Sequence, residues 1–166
     1  HKSSRGLGDV YKRQKQDSAT ETNTEDPLQI NLRTESLGCF VCGPDNPIGL
    51  KVVFDIEDGK CIGEFVPKKE HAGFRNITHG GILFSLLDDV MANFLWLQGE
   101  QCFTARADIR YRDQLEVGQL VRLISWCEKR KGRLAQMRGE IVRLSDQVTV
   151  AEANGTFMLT AQKSRG

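Results

Sequence analysis

One long apolar segment, residues 82–97, constrains the fold more than any other feature of this sequence. Its apolar residues recur at positions i, i+1, i+4 and i+5 without a break, which is typical of a helix with a broad buried face. Gly99 marks the expected end of this helix. A single helix that is this apolar must lie against the face of a sheet.

The segments on both sides of this helix have the patterns of β-strands. Residues 49–56 and 61–66 flank a Glu-Asp-Gly-Lys turn and predict a hairpin. Residues 103–112 alternate strictly between apolar and polar, which predicts a half-buried strand. Short links predict three further antiparallel strands, at residues 120–128, 134–144 and 148–160. The sequence therefore predicts an α+β domain in which an antiparallel sheet wraps around one long central helix.

Length and composition indicate one folded domain with a tail at each end. The chain has 166 residues, and residues 1–26 are polar with few, aperiodic apolar positions. Because this composition is typical of disorder and the chain begins with His rather than Met, we treat the segment as a disordered or foreign tail. We expect a single domain over residues 27–162 and a short C-terminal tail at residues 163–166.

Charge, hydropathy and cysteine content exclude several classes of protein. The net charge is +1 and no basic stripe dominates, which argues against nucleic-acid binding. No apolar run reaches the roughly 18 residues that a membrane span needs. Five irregularly spaced cysteines make a poor disulfide framework, and the polar N-terminus lacks the pattern of a secretory signal. We therefore expect a cytoplasmic protein without a membrane span.

Residues 78–89, around the predicted start of the helix, have the pattern of a catalytic site. Gly80 and Gly81 stand where the free N–H groups of a helix attract oxyanions, and glycine lets a ligand come close. Asp88 and Asp89 stand two turns further along the helix. An oxyanion donor with a nearby carboxylate is a hydrolase-like arrangement. The alternative is an ordinary loop followed by an amphipathic helix with two boundary acids.

Helical spacing favours Asp88 over Asp89 as the reactive acid. Asp88 has Phe84 and Met91 one turn away, whereas the neighbours of Asp89 are more polar. We therefore expect desolvation to raise the pKa of Asp88. His79 could act as a general base, but we favour a role in which it orients the loop by hydrogen bonding to the backbone at the helix start.

Cys39 and Cys42 form a C-x-x-C motif, which raises the question of a metal or redox site. A structural zinc site needs four ligands, usually in two pairs, and the other cysteines and the histidines are scattered along the chain. A thioredoxin-like function would require a βαβ context, which the pattern lacks. We therefore expect these cysteines to pack or brace a loop and not to bind a metal.

The order of elements and four motifs resemble the hotdog-fold acyl-CoA thioesterase superfamily, in particular its PaaI-like branch. The resemblance covers residues 36–160. His79-Gly80-Gly81, with Asp88 nine residues after the histidine, is similar to the family's active-site loop and helix. The other motifs are C-F-V-C-G with N-P-I-G-L at residues 39–50, the strand at residues 104–111, and A-N-G-T-F at residues 153–157.

The resemblance implies a homodimer, or a dimer of dimers, with active sites at the interface where two protomers join edge to edge. It implies hydrolysis of an acyl-CoA thioester without a metal or organic cofactor. By position, Asp88 matches the acidic base or nucleophile, Gly81 the backbone oxyanion donor, and His79 the histidine that opens the helix. Gly80 and Gly81 would contact the substrate. Thr104 matches the residue that positions the attacking water.

Two positions modify this assignment. Strict alternation places Thr104 on the side of its strand that faces away from the helix, so we expect it to reach Asp88 of the partner subunit. Many relatives have an Asn six residues before the histidine, but this chain has Gly73 there, and we assign that role to no residue.

The predicted function is therefore acyl-CoA thioester hydrolysis. The alternative is a non-catalytic acyl-CoA or fatty-acyl binding module, which would use the same pocket without turnover. A hotdog hydratase is disfavoured because the sequence offers no second His/Asp constellation to add water across a double bond.

Overall fold

The structure, a computed structural model, describes residues 35–160 and contains one long α-helix and six strands in that range. The strands form a single antiparallel sheet, and the helix packs against it, which is the architecture that the sequence predicted. The elements are β1 (Asp55–Glu57), β2 (Lys60–Phe65), α1 (Gly80–Trp96), β3 (Cys102–Tyr111), β4 (Val121–Lys131), β5 (Leu134–Arg143) and β6 (Val148–Leu159), with a short 3-10 helix at Lys69–His71.

The predicted hairpin is present, but its first strand is shorter than expected. Asp58 and Gly59 both have positive φ, as a two-residue hairpin turn requires. Only Asp55–Glu57 pair with β2, and Lys51, within the predicted strand, has a φ of 55°, which is outside the β region. The chain before β1 instead bonds to an earlier segment, since the Leu50 N–H donates to Phe40 O and the Val52 N–H donates to Val41 O.

Strands β4, β5 and β6 form the predicted meander, and β6 then pairs with β3. The order across the sheet is β1-β2-β4-β5-β6-β3, which leaves β3 at one edge. Alternate residues of β4, β5 and β6 point towards α1 and are buried. The buried residues of the helix are Leu83, Leu86, Leu87, Val90, Met91 and Leu95.

Helix and sheet approach each other closely because glycines line the contact. A Cβ atom at Gly139 would lie 3.1 Å from Cγ of Met91, and one at Gly155 would lie 3.1 Å from the Met91 Cε atom. The buried hydroxyl of Ser125 in β4 also donates a 2.6 Å hydrogen bond to the carbonyl of Val90. These contacts hold α1 at one height and one rotation over the sheet.

Strand β3 is more exposed than its alternation predicts. Phe103 is 55% exposed and Tyr111 is 52% exposed, because no strand of the described chain covers the outer edge of β3. The pairing of β3 with β6 also shifts by one residue between Thr104 and Arg106, so that Ala105 forms a β-bulge.

Several sequence-based expectations concern residues outside the described range. The predicted tail at residues 1–26, the first residues of the expected domain at 27–34, and residues 161–166 at the C-terminus all lie beyond it. Within residues 35–160, no helix is both long and apolar enough to cross a membrane.

Truncation of Leu87, a fully buried residue on the sheet-facing side of α1, tests this description of the core. We expect Leu87→Ala to lower the free energy of unfolding by about 2–5 kcal/mol, because it leaves a cavity between helix and sheet. Phe84→Ala is the matched control, since Phe84 lies on the same helix but is 40% exposed, and it should cost about 1 kcal/mol or less. Urea unfolding at one protein concentration measures both, and equal losses would contradict this core.

Candidate active site at the start of the helix

His79 caps the N-terminus of α1. Its Nδ1 atom accepts a 2.8 Å hydrogen bond from the N–H of Gly81, and its carbonyl accepts from the N–H groups of Ile82 and Leu83. The imidazole therefore satisfies one of the N–H groups that a helix start leaves without a partner. Because Nδ1 is the acceptor, the neutral ring carries its proton on Nε2. This contact is the backbone interaction that we expected of His79.

The two glycines differ in what their N–H groups contact. The Gly81 N–H, our predicted oxyanion donor, is occupied by His79, and a Cβ atom on Gly81 would lie 3.0 Å from the imidazole Nδ1. The N–H of Gly80 donates to no acceptor within residues 35–160. The free donor at the helix start is therefore one residue earlier than the one that the sequence favoured.

Tyr111, at the end of β3, fixes the position of Gly80. Its hydroxyl donates a 2.9 Å hydrogen bond to the Gly80 carbonyl, and its ring lies 3.5 Å from the place where a Cβ atom of Gly80 would be. Our sequence reasoning gave Tyr111 no role. The alternation of the strand predicted where Tyr111 lies along the chain, but nothing in the sequence showed that this end of β3 meets the helix start.

The loop before α1 is held by the chain that follows β3. The Thr78 N–H donates to the carbonyl of the buried Leu115 at 2.7 Å. The Arg143 guanidinium in turn donates to Asp113 Oδ2 and to the Gln114 carbonyl. The hydrogen bond from Arg143 lowers the pKa of the Asp113 carboxyl. The loop before α1 is thus bonded to the chain after β3, and Arg143 in turn bonds that chain to β5.

Gly73 occupies the position at which we noted the missing Asn. A Cβ atom there would lie 3.3 Å from Cα of His79 and 3.4 Å from its Cδ2, so this residue packs directly against the cap. Arg75 and Asn76 both have positive φ, which makes the loop between Gly73 and the helix a tight turn. A larger side chain at position 73 would have to displace His79.

Asp88 and Thr104 meet within one chain. The Thr104 hydroxyl donates a 2.6 Å hydrogen bond to Oδ1 of Asp88. We had predicted that Thr104 faces away from the helix and reaches Asp88 of the partner subunit, and this orientation is wrong. The bulge at Ala105 inserts one residue into the alternation of β3, so Thr104 faces α1. The residues after the bulge face the directions that the alternation predicted.

The neighbouring acid, Asp89, lies in a different environment. Burial raises the pKa of Asp89, and its carboxylate contacts the thiols of Cys39 and Cys42 and the amide of Asn93. The sequence did not single out Asp89 for this effect. The reason is that residues 36–50 fold over this flank of α1, and a helical wheel contains no information about that segment.

Comparison with known proteins finds similarity to thioesterases. Residues 75–150 match the family model described as the thioesterase superfamily. The acyl-coenzyme A thioesterase THEM5 of Mus musculus is 26% identical over 107 residues, which cover 64% of this chain and 43% of that protein. The chain spans about half the length of the curated relatives that it matches.

Solved structures show the same fold. The PaaI protein of the E. coli phenylacetic acid degradation operon superposes with a TM-score of 0.67 at 19% identity, over 78% of this chain and 94% of that one. A hypothetical thioesterase protein of Streptococcus pneumoniae, solved with coenzyme A, superposes with a TM-score of 0.63 at 19% identity, over 68% of this chain and 88% of that one. The predicted hotdog fold and the predicted resemblance are confirmed.

Substitution of His79 tests its function as the helix cap. We expect His79→Ala to lower the free energy of unfolding by about 0.5–2 kcal/mol, because the Gly81 N–H loses its acceptor. His79→Asn keeps a side-chain acceptor at a position where Asn is a favoured cap, and it should lose less stability. Urea unfolding measures both variants, and an equal loss in the two would argue against the cap.

Proposed function

We propose that this relative of the hotdog thioesterases hydrolyses the thioester of an acyl-CoA to a free acid and CoA. The observation that carries the proposal is the 2.6 Å pair of Thr104 and Asp88, located two turns below a helix start with a free Gly80 N–H. A carboxylate, a hydroxyl and a free backbone donor at a helix start are groups suited to thioester hydrolysis. The thioesterase family model and the relative named acyl-coenzyme A thioesterase support this choice.

The oxyanion donor in this proposal is the backbone at the start of α1. The thioester carbonyl would accept a hydrogen bond from the Gly80 N–H, and the positive end of the helix would stabilise the negative charge that develops on its oxygen. One such donor contributes a few kcal/mol to the transition state in comparable sites, on the order of 3 kcal/mol. We retain Gly81 as the residue that lets His79 close the cap and lets the substrate come near.

The proposed reaction begins at the Asp88 carboxylate. Because the Thr104 hydroxyl uses its proton to bond Asp88 Oδ1, its oxygen remains an acceptor for a water, and Oδ2 of Asp88 can accept from the same water. The water oxygen would attack the thioester carbon while Asp88 takes a proton from it. The C–S bond would then break, and the CoA thiolate would receive the proton that Asp88 took. In a variant of this route the Asp88 carboxylate attacks the thioester carbon, the C–S bond breaks to release the CoA thiolate, and water hydrolyses the mixed anhydride to the free acid and Asp88.

Thiol release from short, long and aromatic acyl-CoAs, with an enzyme-only blank for the five cysteines, tests this proposal. We expect Asp88→Asn to reduce kcat/KM by about 100-fold or more, because both routes need the carboxylate. Thr104→Val should also lose activity, and Thr104→Ser, the matched control that keeps the hydroxyl, should retain most of it.

The other outcomes are equally informative. Activity that survives in Asp88→Asn would contradict the assignment of this acid. If no acyl-CoA is turned over but one of them binds saturably, the non-catalytic acyl-CoA binding module becomes the better description.

We also propose that the protein forms a homodimer or a dimer of dimers through the exposed edge of β3. The edge carries large apolar side chains, Phe103 and Tyr111, that are more than half exposed in the isolated chain. An open, apolar strand edge is a template for pairing with a second chain. Tyr111 and Thr104 both belong to β3, so an interface there would lie next to the candidate site.

Light scattering on the full chain tests the assembly. We expect a mass of at least two chains at micromolar concentration, because pairing along β3 would complete the sheet edge and cover Phe103. A mass of one chain across the micromolar range would contradict an active site that is shared between protomers.

We further propose that the protein works in a reducing, cytoplasmic environment. All five cysteines are free thiols in the structure, and their irregular spacing along the chain supports this choice. The two cysteines that lie closest in sequence, Cys39 and Cys42, contact the polar groups of α1.

A further inference from the structure

Three potential metal-ligating groups meet on the flank of α1 opposite Thr104. They are the thiols of Cys39 and Cys42 and the carboxylate of Asp89, and one ligand atom from each lies within 4.8 Å of the others. In the sequence, Cys39 lies 50 residues before Asp89. A search for paired motifs therefore could not find this group, and we had expected only loop bracing by the cysteines.

The two cysteines lie in a tight turn. The Gly43 N–H donates to the Cys39 carbonyl at 2.9 Å and closes a turn around both thiols. A Cβ atom at Gly43 would lie 2.3 Å from Cys39 N and 2.5 Å from Cys39 O, so only glycine fits after the second cysteine. Structural zinc sites use the same C-x-x-C spacing.

One distance within the cluster matches the ligand spacing of a tetrahedral zinc centre. With Zn–S and Zn–O bonds of about 2.3 Å and 2.1 Å, tetrahedral geometry separates a sulfur ligand from an oxygen ligand by about 3.6 Å. The distance between Cys39 Sγ and Asp89 Oδ1 is 3.6 Å. The two atoms are therefore already spaced as ligands of one ion.

Asn93, one turn after Asp89, supports the cluster from outside. Its Nδ2 atom donates to Asp89 Oδ2 at 3.0 Å and contacts Cys42 Sγ at 3.9 Å. Residues that orient metal ligands in this way, by donating to a ligating carboxylate or sulfur, are a regular part of metal sites.

The cluster also lacks positive charge. No lysine or arginine within residues 35–160 forms an ion pair with Asp89, although its carboxylate is largely buried. Burial makes the ionised form of such a carboxylate costly, and a bound divalent cation would compensate its charge. Cys39 and Cys42 are only partly buried, which leaves a path for an ion to enter.

We propose that Cys39, Cys42 and Asp89 form a binding site for a single Zn²⁺ ion. Two thiolates and one carboxylate would hold the ion, and a water would complete the tetrahedron. Zinc is favoured because thiolate ligands select soft or borderline metals over Mg²⁺ and Ca²⁺. The ion would fasten residues 36–50 to α1, one residue away from Asp88. This inference does not depend on the proposed hydrolysis.

Metal titration of the full chain tests the site. We would strip the protein with a chelator under reducing conditions, verify the fold by far-UV circular dichroism, and titrate Zn²⁺ against a chromophoric competitor. We expect one ion per chain. Co²⁺ in place of zinc should give thiolate-to-metal charge-transfer absorption and the visible bands of a tetrahedral ion.

Matched variants locate the binding site. Cys39→Ser, Cys42→Ser and Asp89→Asn should each weaken zinc binding by at least about 10-fold, and Asn93→Ala should weaken it by about 10–100-fold. The control is Cys127→Ser, because the Cys127 thiol bonds to the Lys129 carbonyl and belongs to no such cluster. It should bind zinc as the wild type does.

Three results would overturn the proposal. The first is a folded, reduced wild-type protein that takes up no stoichiometric zinc, and the second is a cobalt spectrum without thiolate absorption. The third is binding that persists unchanged in both Cys39→Ser and Cys42→Ser. Because the first two are measured on the wild type, a variant that fails to fold does not remove the test.

Discussion

The structure depends on the close packing of α1 against the face of the sheet. Six helix side chains are buried in this contact, and Gly139 and Gly155 on the strands make room for Met91. Because the side chains in such an interior are closely packed, the helix cannot turn about its axis without steric clashes, and its rotation is fixed to within a fraction of a turn. This packing fixes the positions of the polar groups of α1. They include the free N–H at the helix start and the two acids, which lie on opposite sides of the buried face.

The two adjacent acids show how one helix can serve two environments. Consecutive helical residues point about 100° apart, so Asp88 and Asp89 meet different neighbours. Asp88 faces β3 and contacts a hydroxyl, whereas Asp89 faces residues 36–50 and contacts a thiol. The chemistry of each carboxylate is therefore set by a segment distant in sequence, and the helix only decides which segment it meets.

Sequence patterns predicted what local periodicity controls. The helix, the meander of β4 to β6, the hairpin turn and the cap at His79 all follow from spacing and turn residues that act over a few positions. The misplaced elements depend on distant contacts or on single backbone angles. The segment around Lys51 bonds to residues 40 and 41 and not to β2, Ala105 reverses the orientation of Thr104, and residues 36–50 fold over Asp89. None of these is visible in the hydrophobic pattern, because each is decided by packing.

The bulge at Ala105 makes the candidate site sensitive to chain length as well as to residue type. Beyond the bulge, β3 keeps its register with β6, and before it Thr104 points at Asp88. Loss of one residue there would leave the sheet paired and the composition almost unchanged, yet it would turn the hydroxyl towards solvent. Related proteins that share every side chain of the site but differ by one residue in this strand could therefore have lost the pairing of the two groups. In comparing such proteins, an alignment gap in β3 carries as much information as a substitution.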